Sequence, residues 1–410
     1  MFLRHLILRS FATRKNGSLS VVLPDGTTQE FGGVYPGIRA ELRILKNAFF
    51  RRDVLFGSIG FAESYMAGEW ETSDLTQVIA WFMQNSKEPG VLETGYTRGS
   101  GVFNILNLLH RACTRLRPNN SRNGRKNPQH PGADFFRLWL DPTMASSSGF
   151  FDAPETSLEA AQVRKYDLLC RKLHLSPTDE LLEIGTGWGG FSIHAARHFH
   201  CKITTVTSSE EHFVEASGRI EKAGLSDQID ILLCDYRSIR GWFDKVVSIE
   251  TLEAGVQRHV NDHFEKIHEL LKPHGLLALQ ATLCPDRQYR AFRDGVDFIR
   301  KHIAPGSLLM SHARIMEAMT TAGNLNLLDY EDMAPHYAHT LRIWRSTFDS
   351  KQEAIRGLGF DDIFIRKWRY YLCFCEAAFG TRHLTVAQMV YSRPANTRLR
   401  SPVYDTPWPQ

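Results

Sequence analysis

Glu183-Ile184-Gly185-Thr186-Gly187-Trp188-Gly189-Gly190 follows an apolar stretch at 180–184 and leads directly into a segment of helical periodicity. A strand-to-helix turn of this kind needs residues without Cβ where the backbone doubles back and where a ligand touches it closely. Gly185, Gly187 and Gly189 are spaced GxGxG, whereas dinucleotide sites carry GxGxxG. A single helix N-terminus without a diphosphate cradle suits an adenosine with an amino-acid tail, so S-adenosylmethionine is the expected ligand. A dinucleotide and an unliganded turn are the alternatives. Glu183, at the strand end, is positioned to hold the cofactor's ammonium directly or through water, or else to cap the helix. The next strand ends at Thr207, and Glu210 and Glu211 already begin a helix, which leaves the ribose contact open. Beyond the third strand, Asp235 offers a carboxylate for an adenine amino group and Tyr236 a ring to stack on it; a helix cap is the other role for this pair.

These residues need a scaffold, and the pattern supplies one. From Phe135 onward, strand-like and helix-like segments alternate: a helix at 157–173, strands at 180–184, 202–207, 228–233, 245–249 and 276–280, and helices from 189, at 210–223 and at 259–271. Alternation at this spacing implies parallel βαβ units with helices on both faces. Late strands at 325–330 and 384–391 would complete the sheet, giving an α/β, Rossmann-like, seven-stranded domain over 135–395. The interval 287–378 is too long and too helical for one crossover and is expected to form a cap. Ahead of this lies a small α+β domain over 1–95, with a hairpin at 19–23 and 27–31 around Pro24-Asp25-Gly26 and a helix starting at Ser73-Asp74. A basic linker at 96–134 joins the two, and 396–410 is a tail.

The 410-residue chain is 43% hydrophobic and 23% charged, which excludes a wholly disordered, collagenous or coiled-coil protein. No run approaches the roughly 20 apolar residues of a spanning helix. Seven cysteines without a CxxC pair spell neither a zinc cage nor a disulfide framework, so no metal is expected and the compartment reads as reducing, that is cytoplasmic. The basic N-terminus, with Arg4, His5, Arg9, Arg14 and Lys15, reads as a short surface helix, with an organelle transit peptide as the alternative. The net charge of +4 is uneven: Arg111, Arg115, Arg117, Arg122, Arg125 and Lys126 lie together without an acid. That run is a solvated linker or a contact for an anionic surface. It contains no aromatic residue between His110 and Asp134, which argues against a stacking nucleic-acid site.

From about residue 19 to 394 the chain resembles the cyclopropane-fatty-acyl-phospholipid synthases and their relatives, the mycolic acid cyclopropane synthases and fatty-acid methyltransferases. The resemblance is carried by Gly60-Phe61-Ala62-Glu63-Ser64-Tyr65 with Trp70, Leu138-Trp139-Leu140-Asp141-Pro142-Thr143-Met144, and Leu158-Glu159-Ala160-Ala161-Gln162. It continues through the glycine turn, Asp235-Tyr236-Arg237, Val247-Ser248-Ile249-Glu250, Leu270-Leu271-Lys272-Pro273, Asp297-Phe298-Ile299, His336-Tyr337-Ala338-His339-Thr340-Leu341 with Trp344, and Tyr370-Tyr371-Leu372-Cys373-Phe374-Cys375-Glu376.

The resemblance implies methylene addition across a cis double bond of an unsaturated phospholipid acyl chain, with S-adenosylmethionine as co-substrate and a bound bicarbonate as proton acceptor. An alkene is a poor nucleophile, so alignment and exclusion of water must supply much of the rate. Carried over by position, Glu253 and Tyr337 match the family's bicarbonate-site glutamate and tyrosine. Ser148 stands where a cysteine is common and Gln280 where some members have histidine. Ser147 matches a serine that contacts the cofactor carboxylate, and Ser146 replaces the tyrosine before it. His130-Pro131-Gly132-Ala133-Asp134 departs from the family's His-Tyr-Asp-x-Gly-Asn, and His212 replaces a frequent glutamine near the ribose. Such departures fit either a branch making methyl-branched chains or a lipid-binding homologue with impaired turnover. Phe150, Phe151, Trp344, Trp368 and Tyr370 are candidates to line an acyl channel. Because phospholipid chains lie in a bilayer, peripheral docking on an anionic membrane surface is expected, and a homodimer is a possible assembly.

Overall fold

The computed structural model describes residues 2–86, 131–254, 260–396 and 399. The basic run from Arg111 to Lys126 and nearly all of the tail lie outside them. The chain forms two compact units.

The first unit takes in Met1–Arg122, Arg287–Ser307 and Tyr337–Leu384. Its sheet contains β1 (Asn16–Val22), β2 (Thr28–Gly32), β3 (Tyr35–Ile44) and β4 (Trp70–Glu71), in the order β2-β1-β3-β4. The expected hairpin is present, with Val22 opposite Thr28. The parallel partnership of β1 with β3 escaped the sequence reading, because hairpin signals are local whereas a parallel neighbour is not. Asp74 caps the helix Leu75–Gln84 by accepting from the Gln77 N–H. The basic N-terminal stretch forms the helix Phe2–Ala12, and Ile7 and Phe11 sink into the core. Late segments are stitched to early ones: the buried Glu376 carboxylate accepts from Arg345 (2.7 Å), Arg342 (3.1 Å) and Thr76 Oγ1 (3.1 Å). The Arg366 guanidinium donates to the carbonyls of Tyr65 and Trp70.

The second unit, Asn123–Asp286, Leu308–His336 and Thr385–Gln410, is the α/β domain. Its strands are β5 (Glu180–Ile184), β6 (Lys202–Thr207), β7 (Ile229–Leu233), β8 (Phe243–Ile249), β9 (Leu271–Cys284), β10 (Met310–Ser311), β11 (Asn326–Asp332) and β12 (Thr385–Ser392). Seven of them run in the order β11-β12-β9-β8-β5-β6-β7, and the two-residue β10 pairs with β9 outside that path. β5 to β9 are mutually parallel, while β12 is antiparallel to both β9 and β11. Each expected strand is found. β9 runs to 14 residues, far beyond the 276–280 read from its apolar centre, because its end pairs with both β10 and β12. The interval 287–378 does not behave as one insertion: 308–336 belongs to the α/β unit, and 287–307 and 337–384 to the first unit. No described helix is long and apolar enough to cross a membrane.

Candidate active site

In an open α/β sheet, ligands bind beyond the carboxyl ends of the parallel strands, where the strand order reverses. Here that place lies beyond β5 and β8. The glycine turn leaves β5 with Gly185, Gly187 and Gly189 all at positive φ (94°, 50° and 84°). A Cβ on Gly185 would stand 2.3 Å from Thr251 Cγ2, whereas one on Gly187 would meet nothing within 4 Å. The turn is thus closed against its own scaffold at Gly185 and open at Gly187, as a backbone cradle for a ligand requires. These residues fit S-adenosylmethionine.

Glu183 is buried beneath the turn, where its carboxylate accepts hydrogen bonds from Ser192 Oγ and Thr205 Oγ1. Burial pushes its pKa up to about 7, against the pull of those two hydroxyls. It ties the first turn of the helix Gly190–Phe199 to β6. Trp188 lies in an aromatic wall, edge-on to His212 at 4.5 Å and beside Phe136 at 5.9 Å. Thr207 is buried, its hydroxyl accepting from Ser209 N–H. Asp235 takes the capping role: it accepts from Arg237 N–H and pairs with the Arg237 guanidinium. Tyr236 is half-buried, edge-on to His263 at 5.0 Å, and burial pushes its hydroxyl up to about 12.

The segment from Pro142 to Phe151 spans the mouth. Arg219 clamps its start to the glycine turn, donating to the carbonyls of Pro142, Thr143 and Trp188. Its middle reaches the end of β8, where Ser148 N–H donates to Glu250 Oε1 at 3.1 Å. Its end meets His336, which accepts from Phe151 N–H (3.1 Å) and stacks on Phe150 at 4.3 Å.

Ser148, Gln280 and Glu253 therefore converge at the β8 and β9 ends, joined by Glu250, a residue quoted in the resemblance but given no role. Glu250 has φ +49°, strained for a non-glycine residue. Its Oε1 accepts from Gln280 Nε2 at 2.8 Å, and Gln280 Oε1 accepts from Gln388 Nε2 at 3.1 Å. Glu253 Oε1 accepts from Thr282 N–H at 2.6 Å, while its buried Oε2 accepts no hydrogen bond among the described residues. Burial, then the neighbouring Glu250 charge, push Glu253 up to about 7. The donors an added anion would need are engaged elsewhere: Ser148 Oγ donates to the Gly149 carbonyl, and Gln280 and Ser148 N–H serve Glu250. This arrangement does not fit a bicarbonate.

Tyr337 belongs to the first unit, buried, stacked on Phe379 at 4.4 Å and edge-on to Trp344 at 6.1 Å. Trp344, Trp368 and Tyr370 are core residues of that same unit. Lys165 escaped the sequence reading. It is fully buried and donates to Ser147 Oγ at 2.7 Å and Gln162 Oε1 at 2.6 Å. Its signal was present as a lysine on the face of the helix Leu158–Lys172 that carries the apolar residues Ala161, Tyr166, Leu169 and Cys170. No group of three or more potential metal ligands occurs among the described residues.

A parallel sheet closed by an antiparallel strand, with a glycine cradle beyond its central strand, defines the S-adenosylmethionine-dependent methyltransferase fold. The solved structures agree. Mycolic acid cyclopropane synthase CmaA1, complexed with SAH and CTAB, superposes with a TM-score of 0.61 at 25% identity, over 68% of this chain and 100% of that one. Coclaurine N-methyltransferase, at 16% identity and a TM-score of 0.63 over 82% of this chain and 99% of its own, shares the fold alone. Residues 121–389 match the profile of the mycolic acid cyclopropane synthetases, and the chain belongs to that family. It is 35% identical to tuberculostearic acid methyltransferase UfaA1 of Mycobacterium tuberculosis, across 94% of this chain and 90% of the relative. It is 29% identical to the cyclopropane-fatty-acyl-phospholipid synthase of Escherichia coli K12, across 88% of this chain and 90% of the relative.

Proposed function

We propose that this protein transfers the methyl carbon of S-adenosylmethionine to the cis double bond of an unsaturated phospholipid acyl chain, forming a cyclopropane. The observation that carries this reading is Glu253, a half-buried residue whose buried Oε2 is unengaged among the described residues, at the strand ends beside the glycine cradle. When bound, S-adenosylmethionine supplies an electrophilic sulfonium methyl.

The alkene's π electrons would form the new carbon–carbon bond as the sulfur–methyl bond breaks, leaving a carbocation on the chain and S-adenosylhomocysteine as the leaving group. Loss of a proton from the new methyl closes the ring. Glu253 Oε2 accepts that proton: a carboxylate with a pKa near the working pH combines a useful ionised fraction with basicity. Thr282 N–H holds the other oxygen and fixes the carboxylate's direction. Gln280, locked between Glu250 and Gln388, keeps the Glu250 carboxylate in place beside it. Ser148 N–H donates to the same Glu250 oxygen. Gly185, Gly187, Gly189 and Ser147 would hold the cofactor, with Trp188 and His212 walling its adenosine side.

A second reading, a methyl-branched product, is favoured by the likeness to a tuberculostearic acid methyltransferase over 94% of this chain and by the altered Ser148 and Gln280. From the same carbocation, loss of a proton from a chain carbon rather than from the new methyl leaves a methyl-branched alkene; saturating that branch would need a separate hydride donor. The test is mass spectrometry of lipids from a host rich in monounsaturated phospholipids, expressing this protein and fed methyl-labelled methionine. A gain of about 14 mass units per acyl chain with ring fragments supports the cyclopropane, and labelled branched chains support the second reading. No label in any lipid overturns both. The basic run from Arg111 to Lys126 supports docking on an anionic membrane surface, since each Lys or Arg near such a surface adds about 1 kcal/mol.

A further inference from the structure

Lys165 is completely buried, and its contacts are with neutral groups: Ser147 Oγ at 2.7 Å, Gln162 Oε1 at 2.6 Å, and the face of Tyr166 at 4.3 Å. Among the described residues it makes no ion pair, and the Glu250 and Asp141 charges reach it only through space. A buried ammonium in such surroundings is costly unless an anion completes it. An ammonium only donates, so Ser147 Oγ must accept from Lys165, which leaves the serine's own hydroxyl hydrogen to donate elsewhere. Gln162 reinforces that geometry, its Nε2 donating to the Ser147 carbonyl at 2.8 Å. Ser147 lies between Thr143, whose carbonyl Arg219 binds together with that of Trp188 in the glycine turn, and Ser148, whose N–H reaches Glu250 at the end of β8. The hydroxyl therefore sits on the strip of chain that spans the mouth of the cradle, with the Lys165 amino group, whose pKa burial pushes down to about 7, directly behind it.

We infer that Lys165 is a positioning residue for the carboxylate of the cofactor's amino-acid tail, acting through Ser147: the ammonium polarises the serine hydroxyl, and the hydroxyl donates to the carboxylate. The inference rests on the cofactor reading above. It predicts a protein that discriminates by charge at the tail rather than at the adenosine.

The test is calorimetric binding of S-adenosylmethionine and of decarboxylated S-adenosylmethionine, which keeps the amine but lacks the carboxylate, to the full-length chain. Wild type is expected to prefer the carboxylate form by roughly 10- to 100-fold, the range of one charge-assisted hydrogen bond. Lys165→Met should bring that ratio to within about threefold, leave the decarboxylated ligand's affinity unchanged, and raise KM for S-adenosylmethionine with kcat little altered. Lys165→Gln, which keeps a polar group opposite Ser147 and removes the charge, carries the test if the methionine variant does not fold, and should lose most of the preference. Ser147→Ala combined with either change should lose no more than Ser147→Ala alone, because both act on one contact. A folded Lys165 variant that keeps the full preference overturns the inference, as does equal loss for both ligands, which would mark a purely structural lysine. A wild-type chain that binds neither ligand overturns the cofactor reading itself, and the inference with it.

Discussion

Glu253 combines two properties that pull in opposite directions. In the proton-accepting role proposed for it, it must be ionised, and burial together with Glu250 pushes it up to about 7. Turnover is therefore expected to rise with pH through about 7, and added bicarbonate should leave the rate unchanged. Glu253→Gln should lower turnover by roughly 10²- to 10⁴-fold, the usual worth of a positioned base, with cofactor binding retained. Stability runs the other way. A carboxyl whose folded pKa is raised contributes stability that is full below its unfolded value of about 4.5 and is lost as pH rises through about 7. Glu253→Gln should accordingly melt above wild type at pH 8 and lose that advantage at pH 5, read by thermal denaturation at the two values. A pH-independent rate, or a variant of unaltered turnover, would remove Glu253 from the chemistry.

The turn from β5 into the helix Gly190–Phe199 couples folding to binding through one glycine. Gly185 has φ +94°, and a Cβ there would overlap Thr251 Cγ2 at 2.3 Å. Gly185→Ala is expected to cost at least about 1–2 kcal/mol from the backbone conformation alone, and the overlap would displace Thr251, which is hydrogen-bonded to Ser248 in β8. Calorimetry should show lost cofactor affinity together with a lower melting temperature. The same substitution at Gly187 meets no neighbour, so any loss of affinity there comes from the backbone strain or the ligand. The helix Leu158–Lys172 serves in another way: Ser157 caps it at Ala160 N–H, and its inner face carries Gln162 and Lys165 beneath the mouth.

Each compact unit is assembled from distant stretches of the chain. In the first, Glu376 gathers Arg342, Arg345 and Thr76, so residues 300 positions apart share one buried carboxylate. The division into 1–95 and 135–395 expected from the pattern of elements follows chain order, whereas the units observed do not. For the protein as a lipid enzyme, the charge of residues 111–126 sets the expectation: binding to anionic vesicles should weaken as salt rises from about 0.1 to 0.5 M, because screening shortens the reach of surface charge. Replacing the six basic residues by glutamine should produce the same weakening at low salt. Salt-insensitive binding in a flotation or sedimentation assay would refute the electrostatic account.

The strand and helix alternation, the GxGxG turn, the helix start at Asp74, and the family were all legible in the order of residues. Each depends on local periodicity, on backbone conformations open only to glycine, or on short motifs. Partners were not legible. That Gln280 lies between Glu250 and Gln388 follows from the antiparallel register of β9 with β12, which places residues 280 and 388 opposite each other. That Lys165 is buried against Ser147 likewise depends on which surfaces meet in space. Chain order specifies what a segment prefers to become, but hydrogen-bond partners and the burial of charge are properties of packing, and packing exists only once distant segments have come together.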